Sequence, residues 1–243
     1  MNLILFEPGE TPGTLPGTDG RARHLTKVLR KQPGDRFDAG ILGGGVGRAL
    51  VERVGEDGSV TFSLAVTAPP PARLPVRVAV GFPRPIQLRR ILRDLTGMGV
   101  ERIDLVGSDL GEKSYRDTKL LCDGGARAAM IEGASQSRDA ALPGLAVFRR
   151  LDAWLDSLPA GDGGVLLAAA DNVNADGSFF TVAPGFNGAV LAVGPERGWS
   201  DRERALFAAA GFTRLSLGGR ALRTETACVA ATALVLEKIG APG

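Results

Sequence analysis

With 243 residues, 44% of them hydrophobic and 23% charged, the chain has ordinary globular composition and room for one large domain or two smaller ones. A formal net charge of +2 is too small to argue by itself for a polyanionic partner, so the distribution of the basic residues must carry that question. Two cysteines, Cys122 and Cys228, lie far apart in helical-looking contexts and read as small core residues; with a single histidine they leave no metal-ligand cluster and no disulfide framework. The apolar run Leu3 to Phe6 is too short for a signal sequence, and nothing approaches the ~20 apolar residues of a membrane span. The expectation is a cytoplasmic protein with no membrane segment and no metal.

In chain order, Asn2 to Phe6 reads as a strand, followed by a Pro- and Gly-rich loop up to Gly17. Asp19 caps a helix whose apolar positions Ala22, Leu25, Val28 and Leu29 share a face, while Arg21, Arg23, Lys27, Arg30 and Lys31 make the remainder a concentrated positive surface. Pro33 and Gly34 end that helix. Arg36 to Leu42, Arg48 to Val54 and Ser59 to Val66 then read as short antiparallel strands, with Gly43, Gly44, Gly45 and Gly47 taken as a hairpin turn; one helix with several such strands suggests a small barrel over residues 1–70. The prolines of APPPARLP, Ala68 to Pro75, mark a boundary, with residues 71–76 as the linker.

From residue 77 to 243 the rhythm becomes strand and helix in alternation, the pattern of a parallel sheet covered on both faces. Strands are predicted at Arg77 to Phe82, Arg102 to Val106 and Val165 to Ala170, and helices at Pro85 to Met98, Lys119 to Gly133 and Leu151 to Leu158. Arg84, Arg89, Arg90 and Arg93 accompany the first helix as a solvated face or as part of a track for phosphates. The most informative stretch is Ala189 to Gly240. Ala189 to Val193 has no polar residue, and GPERGWS after it opens a helix through a capping-box pair, Ser200 with Glu203. Phe212 to Leu217 then runs into GGRALRTET, and Thr224 to Ile239 is a helix apolar almost all round, expected to be buried. Two glycine-bearing loops at the carboxyl ends of neighbouring parallel strands would form a crevice, the usual ligand position in open α/β sheets.

GPERGWS, LGGRALRTETA and the spacing between them resemble the 16S ribosomal RNA uridine-N3 methyltransferases, the ribosomal RNA small subunit methyltransferase E family of the SPOUT superfamily. HLTKVLRKQPGD, His24 to Asp35, is similar to the helix-and-turn signature of that family's RNA-binding barrel. The resemblance implies an α/β protein: an N-terminal PUA-like β-barrel followed by a SPOUT α/β domain with a deep C-terminal trefoil knot. It implies that the knot holds S-adenosylmethionine, with Leu167, Gly194, Glu196, Gly198, Leu217, Gly218, Leu222, Thr224, Thr226 and Ala227 as cofactor-binding residues. It further implies a homodimer acting on 16S rRNA or the small ribosomal subunit, with Arg138 as a contact kept from the family segment; the basic surfaces of the two helices add Arg23, Lys27, Arg30, Lys31 and Arg89 as RNA-binding candidates.

For catalysis, Arg223 is assigned to orienting or stabilising the uracil, and Glu225 is a loop-organising carboxylate or a base; a structural salt bridge or cap is the alternative for either. Four positions depart from the family pattern: in EGASQSRDAALP, Ser135 where glutamate is usual and Asp139 and Ala141 where arginines are frequent, and Gly219 where proline is common. The rival readings are a SPOUT methyltransferase for another RNA position or atom, and a non-catalytic RNA-binding assembly factor.

Overall fold

The computed structural model of the chain describes residues 2–159 and 164–241. They form two compact units, Met1–Ala72 with Ala134–Leu142, and Arg73–Gly133 with Pro143–Gly243.

In the first unit, strands β1 (Ile4–Phe6), β2 (Gly13–Leu15), β3 (Arg36–Ile41), β4 (Gly45–Val54) and β5 (Val60–Ala68) make one sheet in the order β1-β3-β4-β5-β2. β1 pairs with β3 in parallel, so the sheet is mixed rather than wholly antiparallel, and β2 falls in the stretch expected to be loop. Phe6, Phe37 and Phe62 fill the core, with Phe6 stacked on Phe62 at 4.4 Å between ring centres. Gly45 and Gly47 lie inside β4 rather than in the turn. A side chain at Gly47 would place its Cβ 1.9 Å from the Ala65 carbonyl oxygen, so close strand approach is what requires glycine there.

Asp19 caps α1 (Gly20–Arg23) by accepting from the Arg21 amide, as expected, but after one turn the chain widens into a π-turn over His24–Val28. Arg21 is not free surface charge. Its guanidinium pairs with Glu10 and Asp19 at 2.8 Å each, lies 5.2 Å from the Phe6 ring centre, and holds both carboxyls below the usual carboxylate range. Ser135 ties Ala134–Leu142 to β1: its hydroxyl donates to the Leu3 carbonyl at 2.5 Å, and the Leu3 amide donates to the Ser135 carbonyl at 2.9 Å.

The second unit is a seven-stranded sheet in the order β10-β12-β9-β11-β6-β7-β8, parallel at every pairing. Its strands are β6 (Leu74–Gly81), β7 (Val100–Val106), β8 (Gly144–Phe148), β9 (Val165–Ala170), β10 (Gly177–Ser178), β11 (Gly188–Val193) and β12 (Thr213–Ser216). β8 and β10 escape sequence reading because they are short and half-exposed edge strands. β11 is buried at all six positions, as its unbroken apolar run requires.

Helices α2 (Pro85–Gly97), α5 (Leu151–Leu155), α6 (Asp201–Ala209) and α7 (Thr224–Lys238) lie where periodicity puts them. The predicted Lys119–Gly133 helix is instead broken into α3 (Lys119–Cys122) and α4 (Gly125–Ser137) by Gly124 at φ +73°, and Cys122 is exposed, not core. Cys228 is buried, which pushes its thiol well above the ordinary range. α7 packs on β6, β11 and α2, yet Thr226, Val229 and Ala233 form an exposed stripe along it, so its all-round apolar character is only partly buried within one chain. Beneath the sheet, fully buried Asp104 is satisfied by Arg77, by Arg102 at 2.8 Å and by the Trp154 indole at 2.9 Å.

Candidate functional site

A cleft of about 650 Å³, partly open to solvent, lies at the carboxyl ends of β9, β11 and β12. β9 and the turn after it supply Ala170, Asp171 and Asn172, the β11 end and its loop supply Val193 to Glu196 and Gly198, and the loop after β12 supplies Leu217, Gly218 and Arg220 to Leu222, followed by Thr224 and Ala227 of α7. β11 and β12 are not neighbours; each pairs with β9, which therefore forms the floor between the two loops. Gly198 and Gly218 have φ of +70° and +109°, and a Cβ built on either meets no atom within 4 Å. Side chains there would be strained and would project into open space beside the backbone.

The loops are fixed from behind. Trp199, 1% exposed, donates its indole N–H to the Ala170 carbonyl at 3.2 Å and sits edge-on to Phe207. Gly194 is confined by this arrangement, since a Cβ would come within 3.3 Å of the Trp199 ring and 3.2 Å of the Gly198 Cα. Pro195 rests on β6, where a Cβ at Gly81 would meet its Cδ at 2.5 Å. Asp171 is held by Arg204 at 2.7 Å, and Gly218 donates its amide to the Ser216 hydroxyl at 2.9 Å. The capping box at Ser200 and Glu203 is present, and Glu203 also accepts from the Asp109 amide at 2.9 Å, joining α6 to the loop after β7. Burial pushes the Glu203 carboxyl above its ordinary range, against the pull of those backbone donors.

Two matches bear on what this cleft belongs to. Residues 70–236 match the model of the RNA methyltransferase domain, and residues 18–64 that of the RNA methyltransferase PUA domain. The ribosomal RNA small subunit methyltransferase E of Treponema pallidum is 36% identical over 241 residues, covering 97% of this chain and 91% of its own. The chain belongs to the ribosomal RNA small subunit methyltransferase E family. A Borreliella burgdorferi protein named ribosomal RNA small subunit methyltransferase E 1 is 29% identical, covering 98% of this chain and 99% of its own. In fold, the chain is similar to the ribosomal RNA small subunit methyltransferase E of Neisseria gonorrhoeae bound to S-adenosyl methionine: TM-score 0.78, 22% identity, covering 98% of this chain and 97% of that one.

Of the ten residues that the methyltransferase E resemblance marks for the cofactor, Gly194, Glu196, Gly198, Leu217, Gly218, Leu222, Thr224 and Ala227 line the cleft. Leu167 does not. It alternates to the opposite face of β9 and packs in the core against which Phe207 and Phe212 also lie. Thr226 also misses the cleft: on α7 the helical repeat turns Thr224 and Ala227 toward it and Thr226 outward to solvent. Glu225 faces α2, with one carboxylate oxygen 3.9 Å from Arg90 and the other buried without a hydrogen-bond partner. Arg223 is exposed at the N-cap of α7, outside the cleft lining, whereas Arg220 is part of it.

Among the basic residues, Lys27 and Arg30 are exposed and Lys31 half-buried on the first unit, while Arg23 donates to the Gly17 carbonyl at 3.3 Å. Arg89 pairs with Glu132 at 3.2 Å and Arg138 with Asp38 at 2.9 Å, so either would have to exchange a carboxylate for a phosphate. Sequence reading missed Asp171, Asn172 and Gly81. The signal for the first two was their place directly after the apolar strand Val165–Ala170; Gly81 carried none, because its need is set by Pro195 from a distant segment. No group of three or more metal-ligating side chains occurs among the described residues, and none of their helices is long and apolar enough to cross a membrane.

Proposed function

We propose that the protein transfers the methyl group of S-adenosylmethionine to N3 of a uridine in 16S rRNA. The observation that carries this reading is the cleft at β9, β11 and β12 in a chain of this family, where open space borders the positive-φ backbone of Gly198 and Gly218. These residues fit the cofactor: glycine lets the main chain approach a ligand closely, while Glu196, Arg220 and the amides and carbonyls of the loops offer polar partners. When bound, S-adenosylmethionine supplies an electrophilic methyl on its sulfonium. The protein's part is to align N3 with that carbon and to stabilise the uracil as its N3 proton leaves, and Arg223 takes the second role. Glu225, turned toward Arg90, organises the start of α7.

The chain passes from β11 through α6 to β12 beyond β9, then returns across the end of β9 so that α7 packs on β11 and β6. This path supports a trefoil knot as the cofactor's enclosure. The exposed stripe Thr226, Val229 and Ala233 supports a homodimer in which α7 meets a second copy. The PUA unit grips RNA through Arg23, Lys27, Arg30 and Lys31, and an rRNA substrate places the work in the cytoplasm. Nucleoside mass spectrometry of small-subunit RNA from cells with and without the protein tests the reading. Loss of 3-methyluridine is expected; unchanged 3-methyluridine overturns it, and loss of a ribose-methylated nucleoside instead supports the rival position.

Replacing Lys27, Arg30 and Lys31 together with alanine is expected to weaken RNA binding and flatten its dependence on salt, by a slope of about 0.7 per lost phosphate contact, while S-adenosylmethionine affinity stays unchanged. Filter binding across a salt series measures this. An unchanged slope makes these residues an ordinary solvated surface.

A further inference from the structure

A second cavity of the methyltransferase unit, about 550 Å³ and partly open, lies at the carboxyl ends of β6 and β8 and is lined by Phe82, Lys113, Arg116, Asp117, Val147 and Arg149. Its walls are stitched together by the strand exits: the Phe82 amide donates to the Val106 carbonyl at 3.2 Å and the Gly107 amide to the Phe148 carbonyl at 2.8 Å. Gly107 is required by the packing. A Cβ there would sit 2.1 Å from the Arg149 carbonyl oxygen and 3.0 Å from the Arg116 guanidinium carbon. Arg116 is anchored by donating to the Ser108 carbonyl at 3.3 Å. The loop that carries these groups is itself tied down, because Asp109 accepts from Ser200 at 2.6 Å and pairs with Arg202 at 2.7 Å.

Three cations, Lys113, Arg116 and Arg149, face one carboxylate, Asp117, with no ion pair within 4 Å for any of the three among the described residues. Concentrated cations without carboxylate partners repel one another unless an anion is supplied, and guanidinium forks suit phosphate oxygens. The cavity opens at the same carboxyl end of the sheet as the cofactor cleft, and Pro195 links them: it lines the cleft, rests on Gly81 beside Phe82, and lies 3.9 Å from a Cβ built on Gly111.

We infer that this cavity is a substrate subsite that holds an RNA phosphodiester flanking the methylated nucleotide, with Lys113 and Arg149 as the mobile contacts and Arg116 as the fixed one. Phe82 and Val147 give the adjoining sugar or base an apolar wall, and Asp117 accepts from a ribose hydroxyl. The inference rests on the RNA methyltransferase reading. It adds residues that neither the basic surface of the first unit nor the α2 arginines include.

The test compares wild type with Lys113→Ala/Arg149→Ala and with Arg149→Lys, using 16S rRNA. The double variant is expected to raise the KM for RNA about 10-fold and to lower the salt slope of binding by about 1, with kcat, S-adenosylmethionine affinity and melting temperature unchanged. Arg149→Lys recovers most of the slope. Inorganic phosphate at millimolar concentration should compete with RNA for wild type and less for the double variant. An unchanged KM and slope in the double variant, with wild type active, overturns the subsite alone. Wild type that neither binds nor methylates the RNA overturns the function reading, and the subsite with it.

Discussion

Gly194→Val should weaken S-adenosylmethionine binding by roughly 5- to 150-fold. The position is tight: a Cβ would meet the Gly198 backbone at 3.2 Å and the Trp199 ring at 3.3 Å, and valine adds two methyl groups to that contact. Trp199 cannot retreat, since its indole is hydrogen-bonded to Ala170 and packed on Phe207, so the β11 loop must move into the cleft that it borders. Overpacking of this kind costs about 1–3 kcal/mol, which taken from binding is roughly 5- to 150-fold in affinity. Gly219→Ala is the matched control, for that glycine has ordinary φ and nothing within 4 Å of its Cβ. Titration calorimetry on both variants decides the matter. If Gly194→Val binds with wild-type affinity, the cofactor lies elsewhere than between these loops.

Arg223→Ala should lower the single-turnover rate of rRNA methylation, at saturating S-adenosylmethionine and RNA, by on the order of 100-fold. Arg223 is exposed at the start of α7 and makes no side-chain hydrogen bond at the cap, so its removal leaves the fold intact and its guanidinium is available to a substrate. A cation that meets the uracil as N3 loses its proton stabilises the transition state more than the ground state, so the rate falls while affinity changes little. Lysine restores charge without the planar fork, and Arg223→Lys should recover only part of the rate. A near-wild-type rate for Arg223→Ala would transfer the role to Arg220, the arginine of the same loop that lines the cleft.

The sequence by itself determined the features written in a few adjacent residues. The Ser200–Glu203 capping box, the Asp19 cap, the buried β11 and the two glycine loops follow from side chains and backbone within one or two turns of each other, and the structure has each of them. The same local rules foresaw a parallel sheet from the alternation of apolar runs and amphipathic helices, and a crevice at the two loops, whose lining residues came from the family resemblance.

Tertiary structure decided what depends on pairing between distant segments. That β9 lies between β11 and β12 is a matter of strand order, which no periodicity encodes, and it brings Asp171 and Asn172 into the site. Leu167 reads like its neighbours in an apolar run, but the twofold alternation of the strand, fixed by which face meets Phe207 and Phe212, turns it into the core. Arg21 belongs by sequence to the basic surface of Arg23 and Lys27, and only folding sets Glu10 and Asp19 against it. The opposite holds for Lys113, Arg116 and Arg149, scattered over two segments, which the ends of β6, β7 and β8 gather into one cavity. A residue's chemistry is local, but its neighbours across a sheet edge are set by hydrogen-bonded register between segments far apart in the chain.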